Sequence, residues 1–295
     1  MAAREFVKPW PPLPREEPEL DPYVPYREPV ADIVRGRYRI AGATHRGRSK
    51  HRPENEDSLS FPPDQNAEGT QAANPLLILA DGAGRHVAGE EASGLVTRET
   101  PPQVEGNLQK DDTASSLSRA IGTSHAALYQ KYKGSSLTTI LASILGRDFV
   151  YVAHVGDSRF SLLRSGAFCF QTLDDNQYQS LVAAGMDPRG IKTESRNILT
   201  QSLGQSAKDA EGNYLDHPAQ LDIHMAVVPV RAGDKLLLAS DGLHGYVPEE
   251  DIVRVLKEAK SPSEAVTKLI DLALRYGGHD NVSVVVVSVA EETTQ

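Results

Sequence analysis

Leu76-Leu-Ile-Leu-Ala-Asp-Gly82 decides how the chain is read. Its apolar run follows Asn74-Pro75 and stops on Asp-Gly, which is too short for a helix and fits a strand buried on both faces. The same grammar returns at Lys235–Ser240, a second buried strand that runs into Asp241-Gly242. A third apolar run, Val282–Val289, follows Asp280-Asn281 and closes the chain's regular structure.

Outward from these, strands are expected at Tyr38–Ala41, Leu137–Leu145, Phe149–His154, Arg159–Arg164, Phe168–Thr172 and Leu221–Val230. The last alternates through Leu221, Ile223, Met225 and Val227. Helices are expected at Gly89–Thr100, stopped by Pro101-Pro102, at Thr113–Tyr132 behind Asp111-Asp112, and at Asn176–Ala184. Two more follow: one behind Pro248 with Glu249 and Glu250 in its first turn, and one from the capping box Ser261-Pro-Ser-Glu264 to Tyr276. Strands in runs and helices in pairs favour an α+β chain, with antiparallel sheets and helices packed outside them.

The chain has 295 residues, enough for a sizeable core, and its 24% charged residues are ordinary for a globular protein. Its single cysteine, Cys169, excludes an internal disulfide framework and is expected to pack as a small apolar residue between Phe168 and Phe170. No apolar run is long enough to span a bilayer, and the N-terminus lacks the apolar core of a secretory signal, so a cytoplasmic protein with no membrane partner is expected. Eight of the 19 prolines lie between Pro9 and Pro29. Residues 1–35 therefore read as a proline-rich tail, a disordered leader or a strap anchored by its aromatics and Leu20, ahead of a domain over 36–292.

Net charge is −9, yet residues 35–52 carry seven positive charges and no acid, so the rest of the chain carries −16. Acidity on that scale disfavours nucleic acid as a partner. It is concentrated in a telling place: Asp57, Asp81, Asp241 and Asp280 each stand at the end or the threshold of an apolar strand. Any one of these is an ordinary turn signal. Several strand-end carboxylates converging would make a hard-oxygen site for Mg²⁺ or Mn²⁺, and no His/Cys cluster points to zinc.

The ordered set is more specific. The blocks are Arg52-Pro-Glu-Asn-Glu-Asp57, Ala80-Asp-Gly-Ala-Gly-Arg-His86 with Gly89-Glu90, Gly134-Ser-Ser-Leu-Thr138 and Val155-Gly-Asp-Ser-Arg159. Thr172-Leu-Asp174, Leu199-Thr-Gln-Ser-Leu-Gly204, Gly233-Asp-Lys-Leu-Leu-Leu238, Ser240-Asp-Gly-Leu243 and Asp280-Asn281 follow. From about Arg37 to Val289 the chain resembles the protein phosphatase type 2C family in its bacterial form, metal-dependent serine/threonine phosphatases.

That resemblance implies a four-layer α-β-β-α sandwich with two central antiparallel sheets and flanking helix pairs. It implies two Mn²⁺ or Mg²⁺ ions, bridged by Asp81 and held further by the Gly82 carbonyl, Asp241 and Asp280, with Glu56 and Asp57 holding the ions' water and Asp157 available to a third. A bridging water would be the nucleophile, and Arg52 would fork the phosphoryl oxygens. Arg52, Asp81 and Asp241 are thus the catalytic candidates, and Arg85 and His86 stand as further substrate contacts. By the resemblance residues 178–197 would form a flap over the site, while the glycines and proline of Gly185–Gly190 fit an irregular lid and an ordinary loop equally. Phosphorylated proteins, a cognate kinase system and a monomeric state are expected. Three positions depart from relatives: Ala83 where some have histidine, Arg85 where glycine is usual, and Gly245 where many have an acid. They motivate the alternative, a non-catalytic regulator that binds phosphorylated partners.

Overall fold

The computed structural model describes residues 20–61, 74–83 and 88–291. The chain opens with β1 (Ile33–Arg35), β2 (Tyr38–His45), β3 (Asp57–Ser60) and β4 (Leu76–Ala83), then two helices, α1 (Gly89–Leu108) and α2 (Thr113–Tyr132). Five strands follow: β5 (Leu137–Thr138), β6 (Ile140–Leu145), β7 (Phe149–Val155), β8 (Arg159–Arg164) and β9 (Ala167–Gln171). After α3 (Gln177–Ala183) and two 3₁₀ turns come β10 (Ser206–Lys208), β11 (Tyr214–Pro218), β12 (His224–Pro229) and β13 (Lys235–Ala239). The chain ends with α4 (Asp241–His244), α5 (Glu249–Glu258), α6 (Pro262–Arg275) and β14 (Val282–Val289).

Two antiparallel sheets form the centre, ordered β1-β2-β14-β13-β8-β9 and β12-β7-β6-β4-β3, with β5 paired to β4 and β10–β11 a separate hairpin. Ile40, Phe160, Leu238, Val285 and Val287 of the first sheet meet Leu77, Leu79, Leu141 and Val152 of the second in one core. On the outer face of the first sheet, Val284 and Val286 pack with Leu256 of α5 and Val266, Leu269 and Ile270 of α6. Beyond the second, Ile78 and Ala80 pack with Val96 of α1 and Leu117 and Ile121 of α2. The order is therefore helix pair, sheet, sheet, helix pair. It explains why Leu76–Ala80 and Val284–Val287 read as unbroken apolar runs: both their faces are covered.

The capped helices begin where expected. Asp112 caps α2 by accepting from the amides of Ala114 and Ser115, and Ser261 caps α6 by accepting from that of Glu264. Other expectations are corrected. Helix α1 does not stop at Pro101-Pro102 but carries them inside it to Leu108. The prolines remove two amide donors. Packing outweighs that loss: Val104 is buried beyond them, and the Thr100 hydroxyl shares a 2.9 Å hydrogen bond with Ser124 of α2.

In β12 the alternation is present but its faces are exchanged: Met225 and Val227 are exposed, while Ala226 and Val228 turn to the inter-sheet core. Cys169 is exposed rather than packed. A bulge pairs Leu162 with Phe170 and Leu163 with Phe168, so Cys169 is the extra residue that faces outward. The first strand begins at Ile33, inside the span read as tail, because Ile33 is buried and pairs with Ile40. Residues 21–32 form no helix or strand but lie against the domain, with Tyr26 buried in the α6-side core. Residues 1–19 of that tail lie outside the described residues.

Candidate active site

The candidate carboxylates gather at one rim, where ends of β3, β4, β13 and β14 and the β7–β8 turn meet. Asp57 opens β3 and is the register partner of Asp81 on β4. The Asp81 backbone is pinned by the break between β5 and β6. Its amide donates to Thr139 Oγ1 at 2.9 Å, and its carbonyl accepts from the Thr139 amide at 2.8 Å and the Thr138 hydroxyl at 3.0 Å. The expected single strand Leu137–Leu145 is thus interrupted at Thr139, whose hydroxyl also bonds Ser158 at 2.8 Å beside Asp157.

Gly82 is required by crowding. Its amide donates to Glu56 O at 3.0 Å, and a Cβ there would meet that carbonyl at 2.7 Å and press on Gly89. A glycine lets the backbone pass this close, with Glu56 on one side and the start of α1 on the other. Asp241 begins α4 directly after β13, and the preceding Ser240 donates its hydroxyl to Asp57 Oδ2 at 2.8 Å. Asp280 stands before β14. Its Oδ1 accepts from the Asn281 amide at 2.8 Å and lies 2.8 Å from Arg52 Nη1. Arg52 also approaches Glu56 Oε2 at 3.7 Å. Asn281 sews the loop to this turn, accepting from the Glu56 amide at 2.8 Å and donating to the carbonyls of Arg46 and Glu54.

Electrostatically the rim is overloaded with negative charge. Burial pushes the Asp57 carboxyl up to about 6, with Asp241 adding to the rise and the Ser283 and Ser240 hydroxyls opposing it. Asp81 is pushed well above the usual carboxylate range by burial and then by the charges of Asp57, Asp241, Asp280 and Asp157. Asp157 and Asp280 rise for the same reasons, burial first and Asp241 next, with Arg52 opposing the rise at Asp280. Asp241 is the charge common to all four.

Asp57 Oδ1 is buried with no hydrogen-bond partner. An all-oxygen set of mutually repelling carboxylates with an orphaned buried oxygen fits hard divalent cations. Among the described residues no group of three His, Cys, Asp or Glu side chains forms a ready-made metal cage, as expected for like charges that a cation would have to draw together.

Sequence reasoning named Arg52, Glu56, Asp57, Asp81, Gly82, Asp157, Asp241 and Asp280, and the fold brings all of them to this rim. Arg85 and His86 lie outside the described residues. It did not single out the supports, Thr139, Ser240 and Asn281, nor the Arg159–Asp174 pair. Arg159 grips Asp174 with Nε at 2.6 Å and Nη2 at 2.7 Å, behind Asp157. All five residues lie within or beside the quoted blocks, but their roles depend on cross-strand register. His244, three residues past Asp241, is half-buried, and its pKa is lowered to about 3 by desolvation and then by Arg159.

Comparison with known proteins gives the following. The family model described as Protein phosphatase 2C matches residues 46–274. The serine/threonine phosphatase stp of Listeria innocua is 30% identical over 258 residues, covering 83% of this chain and 93% of that protein. The crystal structure of the Mycobacterium tuberculosis serine/threonine phosphatase PstP/Ppp aligns with a TM-score of 0.69 at 31% identity, covering 86% of this chain and 99% of that one. A structure of the PstP catalytic domain in complex with two manganese ions aligns with a TM-score of 0.68 at 32% identity, with coverages of 86% and 99%.

Proposed function

The chain belongs to the protein phosphatase 2C family, and from that premise we propose that it is a divalent-metal-dependent phosphatase acting on phosphoserine and phosphothreonine in proteins. The observation that carries the reading is the rim itself: Asp57, Asp81, Asp157 and Asp280 all raised by burial and by the charge of Asp241. An intact set of this kind carries a repulsive cost that bound cations would offset, which favours a working site over a non-catalytic regulator.

Asp81, the Gly82 carbonyl, Asp241 and Asp280 would hold two Mn²⁺ or Mg²⁺ ions, Glu56 and Asp57 their water, and Asp157 a third ion. Ions held there would supply the acidity that makes water a nucleophile at neutral pH and would offset phosphoryl charge. Arg52 supplies a planar fork at the mouth, its side chain 41% exposed and anchored to Asp280, positioned to take two phosphoryl oxygens. Asp57, kept in place by Ser240, orients water at the ester. The new P–O bond forms from that water as the seryl or threonyl P–O bond breaks, releasing the alcohol and inorganic phosphate.

The substrates are phosphoproteins, and a serine/threonine kinase would supply them. No helix among the described residues is long and apolar enough to cross a membrane, and a single chain holds every group named here. The test is phosphate release from phosphoserine and phosphothreonine peptides with Mn²⁺, Mg²⁺ or chelator. Release that needs the metal supports the reading; release unchanged by chelator overturns it.

A further inference from the structure

We propose that residues 20–26 are a positioning strap for the loop that carries Arg52, so that this N-terminal segment sets the affinity for the phosphoryl group. The inference rests on Arg52 being the phosphoryl-binding residue.

The strap grips the loop along three successive contacts. Leu20 pairs with Ser49 as an antiparallel bridge. The Asp21 amide donates to Arg48 O at 2.7 Å, and Arg48 Nε donates back to Asp21 O at 2.9 Å. The Asp21 carboxylate pairs with Arg46. Ser49 passes the restraint on: it is buried, its carbonyl accepts from the Arg52 amide at 3.3 Å, and its hydroxyl accepts from the His51 amide at 3.3 Å.

The strap is in turn fastened to α6. The Tyr23 hydroxyl donates to Asp271 Oδ1 at 2.7 Å and accepts from Arg275 Nε at 3.0 Å, and the Tyr26 amide donates to the same Asp271 oxygen at 3.2 Å. Arg48 joins the two sets of contacts. Its guanidinium donates to Leu274 O at 3.0 Å and lies 5.8 Å from the Tyr23 ring centroid, within cation–π range.

On its other side the loop rests on the turn that holds Asp280, through the Asn281 bond to Arg46 O and the close seat of Gly47 on Asp280. Arg52 is therefore placed by a loop clamped from both sides. An arginine fork works only when its two N–H groups meet two oxygens together, so loss of one side of the clamp weakens substrate binding before it slows the chemistry.

The test uses the full chain carrying Asp21→Ala with Tyr23→Ala, beside Arg52→Ala and the triple variant. KM and kcat are measured on a phosphothreonine peptide at saturating Mn²⁺, and amide hydrogen exchange is followed by mass spectrometry. The expected result is a three- to tenfold rise in KM with kcat within twofold, faster exchange confined to residues 20–26 and 46–52, and no further rise in KM when the strap substitutions are added to Arg52→Ala. Unchanged KM and exchange in the strap variant, or exchange accelerated evenly throughout the chain, overturns the strap's role while leaving Arg52's intact. If Arg52→Ala itself leaves KM unchanged, the reading of Arg52 fails, and this proposal with it.

Discussion

Asp57 and Asp81 are register partners across β3 and β4, a buried carboxylate opposite a half-buried one at the rim of their sheet. Like charges placed directly opposite in a sheet repel. Asp57 Oδ1 has no protein partner, and the Ser240 hydroxyl satisfies only Oδ2. Asp57→Asn should therefore stabilise the chelator-treated protein by on the order of 1 kcal/mol, a rise of roughly 2–4 °C in Tm. The amide would keep the Ser240 contact and could donate to Asp81. In Mn²⁺ the order should reverse, because the substitution weakens the metal site. Differential scanning calorimetry in EDTA and in Mn²⁺ checks both; a variant less stable in each would show that the repulsion is not the governing term.

Arg52 can be separated from a plain positive charge. Arg52→Lys keeps the charge that neutralises Asp280 but loses the planar fork. KM for a phosphopeptide should rise about tenfold. A lysine variant with wild-type KM would mean that charge alone suffices at this position.

Gly47 tests the coupling between the loop and the turn before β14. It has φ of +79°, and a Cβ would fall against the Asp280 carbonyl. Gly47→Ala should cost about 1–3 kcal/mol of stability from strain at this left-handed position. By shifting Asp280 it should also lower Mn²⁺ affinity. Urea unfolding and metal titration report the two separately; loss of stability with unaltered metal affinity would uncouple Gly47 from the site.

Away from the rim, Asp234 gives a pH signature. It is 2% exposed, receives Arg164 Nε at 2.8 Å and Nη2 at 2.6 Å, and accepts from the Arg231 amide at 2.8 Å. Burial pushes its carboxyl up, but Arg164 and the Arg231 amide outweigh burial and hold it below the usual range. A depressed carboxylate contributes stability above its unfolded value, and that contribution is lost as pH falls through the lower folded value. Asp234→Asn should cost about 2 kcal/mol at pH 7, and the gap to wild type should close as pH falls below about 4. A gap independent of pH would assign the loss to packing instead.

The parts of this molecule that were legible in the sequence are those with local causes. Apolar runs ending on Asp-Gly placed β4 and β13, and Asp112 and Ser261 marked the starts of α2 and α6 because capping is decided within four residues. The failures share a different cause. Pro101 and Pro102 argue locally for a helix end, but Val104 and the Thr100–Ser124 bond are contacts with α2. The face of β12 and the outward Cys169 were decided by an edge position and a bulge, neither visible in a pattern of period two. At the site the carboxylates were readable because each carries its own strand signal. Thr139, Ser240 and Asn281 reach Asp81, Asp57 and Glu56 across 58, 183 and 225 residues of chain.

The most direct test of the central claim is a titration of Mn²⁺ into chelator-stripped protein, following calorimetric binding and phosphate release from a phosphothreonine peptide together, for wild type and Asp81→Asn. The account predicts saturable binding and turnover that rise together in the wild type, and in the variant weakened binding with turnover lower by about 10³-fold. Turnover in the stripped protein without metal, or an Asp81→Asn variant that binds and turns over like the wild type, would contradict it.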